Sequence, residues 1–351
     1  MCKSPLHPFL HALPKCEHHM HLEGSLSPDL LFTLASRNEI ALPASADSAF
    51  TSPETLLDRY TRFTSLDDFL NYYYIGMSCL IHEADFEQLA WDYFIRAKSD
   101  GVVHAEVFFD PQAHTGRGVE YETVVNGFEK ACQRAEQELA ITTKLIMCFV
   151  RHLPVEHTNG AYAQAESHLV SGRLAGIGLD STEKGNPPRM WQEVYRKAKS
   201  QGIRRTAHVG EEGPVEYIRE ALTHLDVERV DHGIRLADDE ELMREVAERK
   251  ILITMCPLSN VRLRCVKEVG ELPIRTFLDS GVNFSINSDD PAYFGGYILD
   301  NYCAVQEAFG FTMKEWEAIT KASVNGSWCD DSRKDTILKE VDATIMKFGN
   351  V

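Results

Sequence analysis

His19 and His21 stand two residues apart in a chain of 351 residues. On an extended segment, residues i and i+2 point to the same face, so both imidazoles can reach one metal ion. His18 would then point away and serve the structure. His208 and Asp289 add a nitrogen and a carboxylate oxygen, donors that Zn²⁺ accepts, and the four make a His3Asp set with room for a water. Such an ion draws the pKa of a bound water towards 7 and supplies a nucleophile for hydrolysis. His232 is placed to accept or orient the water's proton. Glu211, three residues beyond His208, can face the same cavity, and if desolvated it keeps a proton near neutrality that it can donate to a ring nitrogen. The alternatives are a helix-start carboxylate for Glu211 and a buried structural histidine for His232.

These residues need a scaffold that brings them together. Eight apolar or β-branched runs alternate with helical periodicity, near Lys15–His21, Val102–Phe109, Thr142–Val150, Leu174–Leu179, Ile203–Val209, Arg229–Ile234, Lys250–Met255 and Val282–Ile286. Strands alternating with helices imply parallel pairing, and eight units in this length fit an α/β (β/α)8 TIM barrel better than one doubly wound sheet. Nearly every run ends in a polar cluster, and in such a barrel the C-terminal strand ends form one face. The first connection is long: residues 25–100 form an extra helical excursion, in which the aromatic stretch Leu66–Leu80 is a covering layer or a substrate lid. Residues 305–351 close the chain as C-terminal helices, and 1–351 is expected to be a single barrel domain.

The strand-four run is followed by Asp180, where a two-metal barrel would need a bridging lysine, so one metal is favoured. HxE occurs twice, at His21-Leu22-Glu23 and His104-Ala105-Glu106, but no CxxC follows, which excludes the HxE…PCxxC zinc site. The nine cysteines are odd in number and irregularly spaced, which reads as reduced thiols in a cytoplasmic protein, with a nuclear share left open. A formal net charge of -17 argues against nucleic acid or an anionic membrane as partner. No apolar run approaches a membrane span. Oligomeric state is not legible. Arg204 and Arg205 read as surface charges, and Arg151 carries no evident role.

The segments Glu17-His18-His19-Met20-His21-Leu22-Glu23-Gly24, His208-Val209-Gly210-Glu211, Asp231-His232-Gly233 and Ser288-Asp289-Asp290-Pro291 resemble the motifs of the adenosine and adenine deaminase family. Their order is the family order, and they span nearly the whole chain. The resemblance implies one zinc ion on His19, His21, His208 and Asp289. It also implies Glu211 protonating purine N1, His232 assisting the attacking hydroxide at C6, and Asp290 bonding N7. Phe108-Phe109-Asp110-Pro111-Gln112-Ala113-His114-Thr115, Leu179-Asp180-Ser181-Thr182-Glu183 and Cys256-Pro257-Leu258-Ser259-Asn260 resemble the adenine branch. There Glu183 stands where the adenosine branch has a glycine at N3; a carboxylate at that place would bond the free base and crowd out ribose. The implied activity is deamination of adenine to hypoxanthine and ammonia in purine salvage. Adenosine or an N6-substituted adenine is an alternative substrate, and a silent purine-binding barrel is the non-enzymatic alternative.

Overall fold

The computed structural model describes residues 3–349. Eight strands lie in sequence order and every neighbouring pair is parallel. They are β1 (Lys15–Glu17), β2 (Val102–Phe109), β3 (Thr142–Val150), β4 (Gly176–Asp180), β5 (Arg204–Val209), β6 (Arg229–His232), β7 (Leu252–Met255) and β8 (Phe284–Ile286). The ring closes at the C-terminal rim, where Met20 bridges Asp289 and His21 bridges Phe108. This is the expected (β/α)8 barrel.

β2 and β3 coincide with their sequence-based spans, whereas β1 stops at Glu17 rather than running to His21. The reason is local. The His18 N–H donates to the Asn287 side chain at 2.8 Å instead of to a neighbouring backbone. Pairing resumes beyond it, with the Asp289 N–H donating to His19 O at 3.0 Å and the His21 N–H to Asp289 O at 2.9 Å. The interruption leaves His19 and His21 on one face.

The barrel floor holds a buried ion network that the sequence hid. Glu106 pairs with Arg229 at 2.5 Å and meets His104 Nε2 at 3.0 Å, while the Arg229 guanidinium lies 4.2 Å from the Trp328 ring centre. The His104-Ala105-Glu106 match is therefore part of this floor. Arg204 is exposed as expected, but Arg205 is buried and donates to the carbonyls of Ile203 and Asp226.

The first excursion contains the helices Pro28–Arg37, Pro53–Tyr60, Leu66–Met77 and Glu83–Ser99. Ser65 caps the third of these by accepting from Asp68 N at 3.2 Å. Glu83–Ser99 lies tightly against Tyr121–Leu139, an approach that needs Gly127, because a Cβ there would meet Glu83 O at 2.5 Å. Among the described residues there is no disulfide, and no helix is long and apolar enough to cross a membrane. Cys2 lies outside the described residues.

Candidate active site

At the rim the chain turns sharply at the ends of β4, β6 and β8. Ser181, His232 and Asp289 all adopt positive φ, at 73°, 62° and 64°. Non-glycine residues in that region cost about 1–3 kcal/mol each, and such strain gathers at functional sites.

Three imidazoles converge there with a carboxylate. His21 Nε2 lies 3.0 Å from His208 Nε2, and Asp289 Oδ1 lies 3.2 Å from His19 Nε2 and 3.5 Å from His21 Nε2. The outward nitrogens face orienting groups. His19 Nδ1 meets Thr254 Oγ1 at 2.8 Å, and that hydroxyl donates to Asp231 at 3.0 Å. His208 Nδ1 lies 3.6 Å from Asp231, and His21 Nδ1 lies 3.6 Å from Asp180. Metal-binding histidines are held in this way, with the outer nitrogen turned to a carboxylate or a hydroxyl. The buried His19 Nε2 finds no hydrogen-bond partner, and the donor set suits a borderline-soft divalent ion, so these residues fit a metal. Ligand atoms of His19, His208, His232 and Asp289 also lie within 4.8 Å of one another, so His232 borders the same point.

Burial lowers the pKa of His21 and of His208, and pushes that of His232 down to about 3, which leaves them neutral and able to offer lone pairs. Burial opposes ionisation of Asp289, but His19 and His232 beside it outweigh that and hold the carboxyl far below the usual range. Glu211 and Asp290 go the other way. Burial, followed by the charge of Asp289, raises both well above the ordinary carboxyl value. Glu211 Oε2 lies 3.6 Å from His232 Nε2, and Asp290 Oδ1 is buried without a partner. Gly24 is required at this spot, since a Cβ there would fall 2.1 Å from Asp290 Oδ1.

One expected substrate residue is placed elsewhere. The carboxylate of Glu183 is buried beneath the loop after β5 and accepts three successive backbone N–H groups, from Gly210 at 3.0 Å, Glu211 at 2.8 Å and Glu212 at 3.1 Å. It does not line the cavity. The positive φ at Ser181 turns the chain, so that Thr182 bonds Asp67 and Glu183 passes under the neighbouring loop. The carboxyl that β4 presents to the cavity is Asp180, together with Asp110 from the end of β2.

Several supporting residues escaped the sequence reading. Arg151 donates to His208 O at 2.7 Å and to Asn186 O at 2.5 Å, which ties the loop after β4 to the end of β5. Glu17 accepts from Ser288 N at 3.0 Å and Tyr93 Oη at 2.7 Å, fixing the segment that carries Asp289. Glu23 accepts from Asp110 N at 3.1 Å and meets His114 Nε2 at 2.9 Å. Glu17, Glu23 and His114 sit inside the quoted motifs, but nothing in their types reveals these partners. The helix Leu66–Met77 lays Leu66, Phe69, Tyr73 and Tyr74 over the cavity, so the aromatic stretch both covers the barrel and roofs the site.

A barrel whose rim gathers these groups is built for metal-assisted hydrolysis. Residues 14–344 match the family model described as adenosine deaminase, and the chain belongs to that family. Within it, the chain is 58% identical to an adenine deaminase of Aspergillus fumigatus over 99% of both chains. It is 55% identical to an adenine deaminase of Schizosaccharomyces pombe, covering 99% of this chain and 95% of the relative. The crystal structure of an adenine deaminase from Arthrobacter aurescens superposes with a TM-score of 0.90 at 42% identity, over 95% of this chain and 99% of that one. An amidohydrolase from Burkhoderia ambifaria, solved with bound Zn, gives 0.87 at 25% identity, over 100% and 98%.

Proposed function

We infer that this protein hydrolyses adenine to hypoxanthine and ammonia, with one zinc ion held by His19, His21, His208 and Asp289. Full-length identity of 58% to an adenine deaminase carries the choice of substrate. Zinc is supported by the convergence of His19, His21, His208 and Asp289, a three-imidazole, one-carboxylate set, and by the Zn-bound relative at 25% identity. His21 is preferred to His232 as a ligand because a carboxylate orients its outer nitrogen, whereas His232 Nδ1 has only the Asn260 amide at 3.4 Å.

The ion would acidify a water molecule and so make a nucleophile available near neutrality. His232, neutral and 3.6 Å from Glu211, receives the proton that the water gives up as its oxygen attacks C6. Glu211 delivers its own proton to N1, which lets the ring accept the new bond. His232 passes its proton to the amino group, ammonia leaves, and the proton on the new hydroxyl returns to Glu211. The product is the 6-oxo purine with a hydrogen on N1. Asp290, protonated and unpartnered, donates to N7. The role of Glu183 is indirect: it holds the backbone of Glu211 in place.

The test is a parallel assay of ammonia release from adenine, adenosine and AMP, with metal content measured on the same sample. Adenine should be deaminated with the highest kcat/KM, and chelation should abolish turnover until zinc is restored. An adenosine kcat/KM equal to that for adenine, or full activity without metal, would overturn the reading.

A further inference from the structure

Four buried carboxyls with unpartnered oxygens line the cavity: Asp110 Oδ1, both oxygens of Asp180, Glu211 Oε1 and Asp290 Oδ1. They stand at the ends of β2, β4, β5 and β8. The proposed reaction uses two of them, Glu211 at N1 and Asp290 at N7, with C6 turned to the histidine cluster. Read round the rim from β8 through the β1 side, the order is Asp290, Asp110, Asp180, Glu211. Read round the purine perimeter away from C6, the nitrogens run N7, N9, N3, N1. The two cyclic orders match. With N7 and N1 fixed, N9 faces the end of β2 and N3 the end of β4.

N9 is the one ring nitrogen of the usual adenine tautomer that carries a hydrogen, so it needs an acceptor. A carboxyl supplies one in either protonation state. Asp110 is also rigidly set, because its N–H donates to Glu23 at 3.1 Å and Pro111 behind it begins the short helix Pro111–Thr115. Resting on the adenine reading above, we propose that Asp110 accepts the N9–H of the free base and is the residue that rejects purines substituted at N9. An N9 substituent removes the N–H donor that this pose turns to Asp110, leaves Asp110 Oδ1 buried without that bond, and places carbon against it. A site built to bond an N–H discriminates far more strongly against an analogue lacking it than an apolar pocket does. Asp180 stays outside the test because it lies 3.6 Å from His21 Nδ1.

The experiment uses the metal-loaded enzyme with adenine and 9-methyladenine as substrates, and with hypoxanthine and 9-methylhypoxanthine as competitive inhibitors. The methyl group removes the N9–H without the bulk of ribose. The wild type should prefer adenine by a factor on the order of 10⁴ in kcat/KM, and hypoxanthine should bind far better than its 9-methyl form. In Asp110→Ala the adenine preference should collapse by at least about 30-fold. Asp110→Asn keeps a carbonyl oxygen and should retain most of the preference. Equal binding of the two inhibitors by the wild type would overturn the proposal with no variant needed. So would an Asp110→Ala enzyme that loses both substrates by the same factor. A wild type that binds hypoxanthine selectively yet releases no ammonia from adenine would instead remove the functional reading and leave the Asp110 contact standing.

Discussion

Replacing Glu183 by alanine removes one side chain and strands three donors at once. The N–H groups of Gly210, Glu211 and Glu212 all point at its two oxygens, at 3.0, 2.8 and 3.1 Å, in a fully buried site. A hydrogen bond to a charged group contributes about 1.5–3 kcal/mol, and water entering the space left behind recovers part of the loss, so the expected cost is about 3–5 kcal/mol. Glu183→Gln should cost less. Its amide oxygen can still serve Glu211 and Glu212, but its NH2 then opposes the Gly210 N–H, donor against donor. The chemistry should suffer as well, because Glu211 sits in the middle of the clamped loop. A displacement of about 1 Å there costs roughly 100-fold in kcat. KM for adenine should change by less than about threefold, since Glu183 does not face the cavity. Urea unfolding at fixed zinc concentration gives the first quantity and steady-state kinetics the second. Unchanged stability together with a rise confined to KM would refute this reasoning and return Glu183 to contact with the purine.

Glu211→Gln preserves shape and removes the acid, so kcat should fall by about 10²–10⁴, with stability equal to or above the wild type in the same unfolding assay. Arg229→Met leaves the buried Glu106 without its cationic partner, with only His104 and the Trp328 N–H beside it, and should cost about 3–5 kcal/mol, while the double change to Arg229→Met with Glu106→Leu should recover part of that. Burial pushes the pKa of His18 down to about 3, against about 6.5 in an unfolded chain. Between those values the unfolded chain binds more protons, so the contribution is complete above pH 6.5 and is lost as pH falls towards 3. Relative to His18→Gln, wild-type stability measured between pH 6.5 and 4.5 should drop by about 1.4 kcal/mol more per pH unit.

What could be read without the structure follows a physical division. Period-two spacing placed His19 and His21 on one face, and strand ends placed His208, His232 and Asp289 beside them, because backbone geometry alone decides such directions. β2 and β3 were equally plain from their unbroken apolar runs. Loops are different. Past Ser181 the direction of a side chain depends on a single positive φ, and that turn takes Glu183 out of the cavity lining while leaving Asp180 in it. Arg151 and Glu17 were opaque for another reason: their partners, backbone groups and the Tyr93 hydroxyl among them, lie on elements far off in sequence, which no residue type announces. The shortened β1 belongs with these, since a side chain from the opposite end of the sequence replaces a ladder bond.

The seam of the barrel has a consequence for how the protein is made. His18 and Asn287, 269 residues apart, stitch the first strand to the last, and His19, His21 and Asp289 lie on that stitch. At about 5–20 residues per second, a nascent chain carries its first two imidazoles for about 13–54 s before their carboxylate exists. No fragment that stops short of β8 owns the full donor set. On the proposed ligand set, a metal ion can therefore find all four of its donors only once the ring is complete.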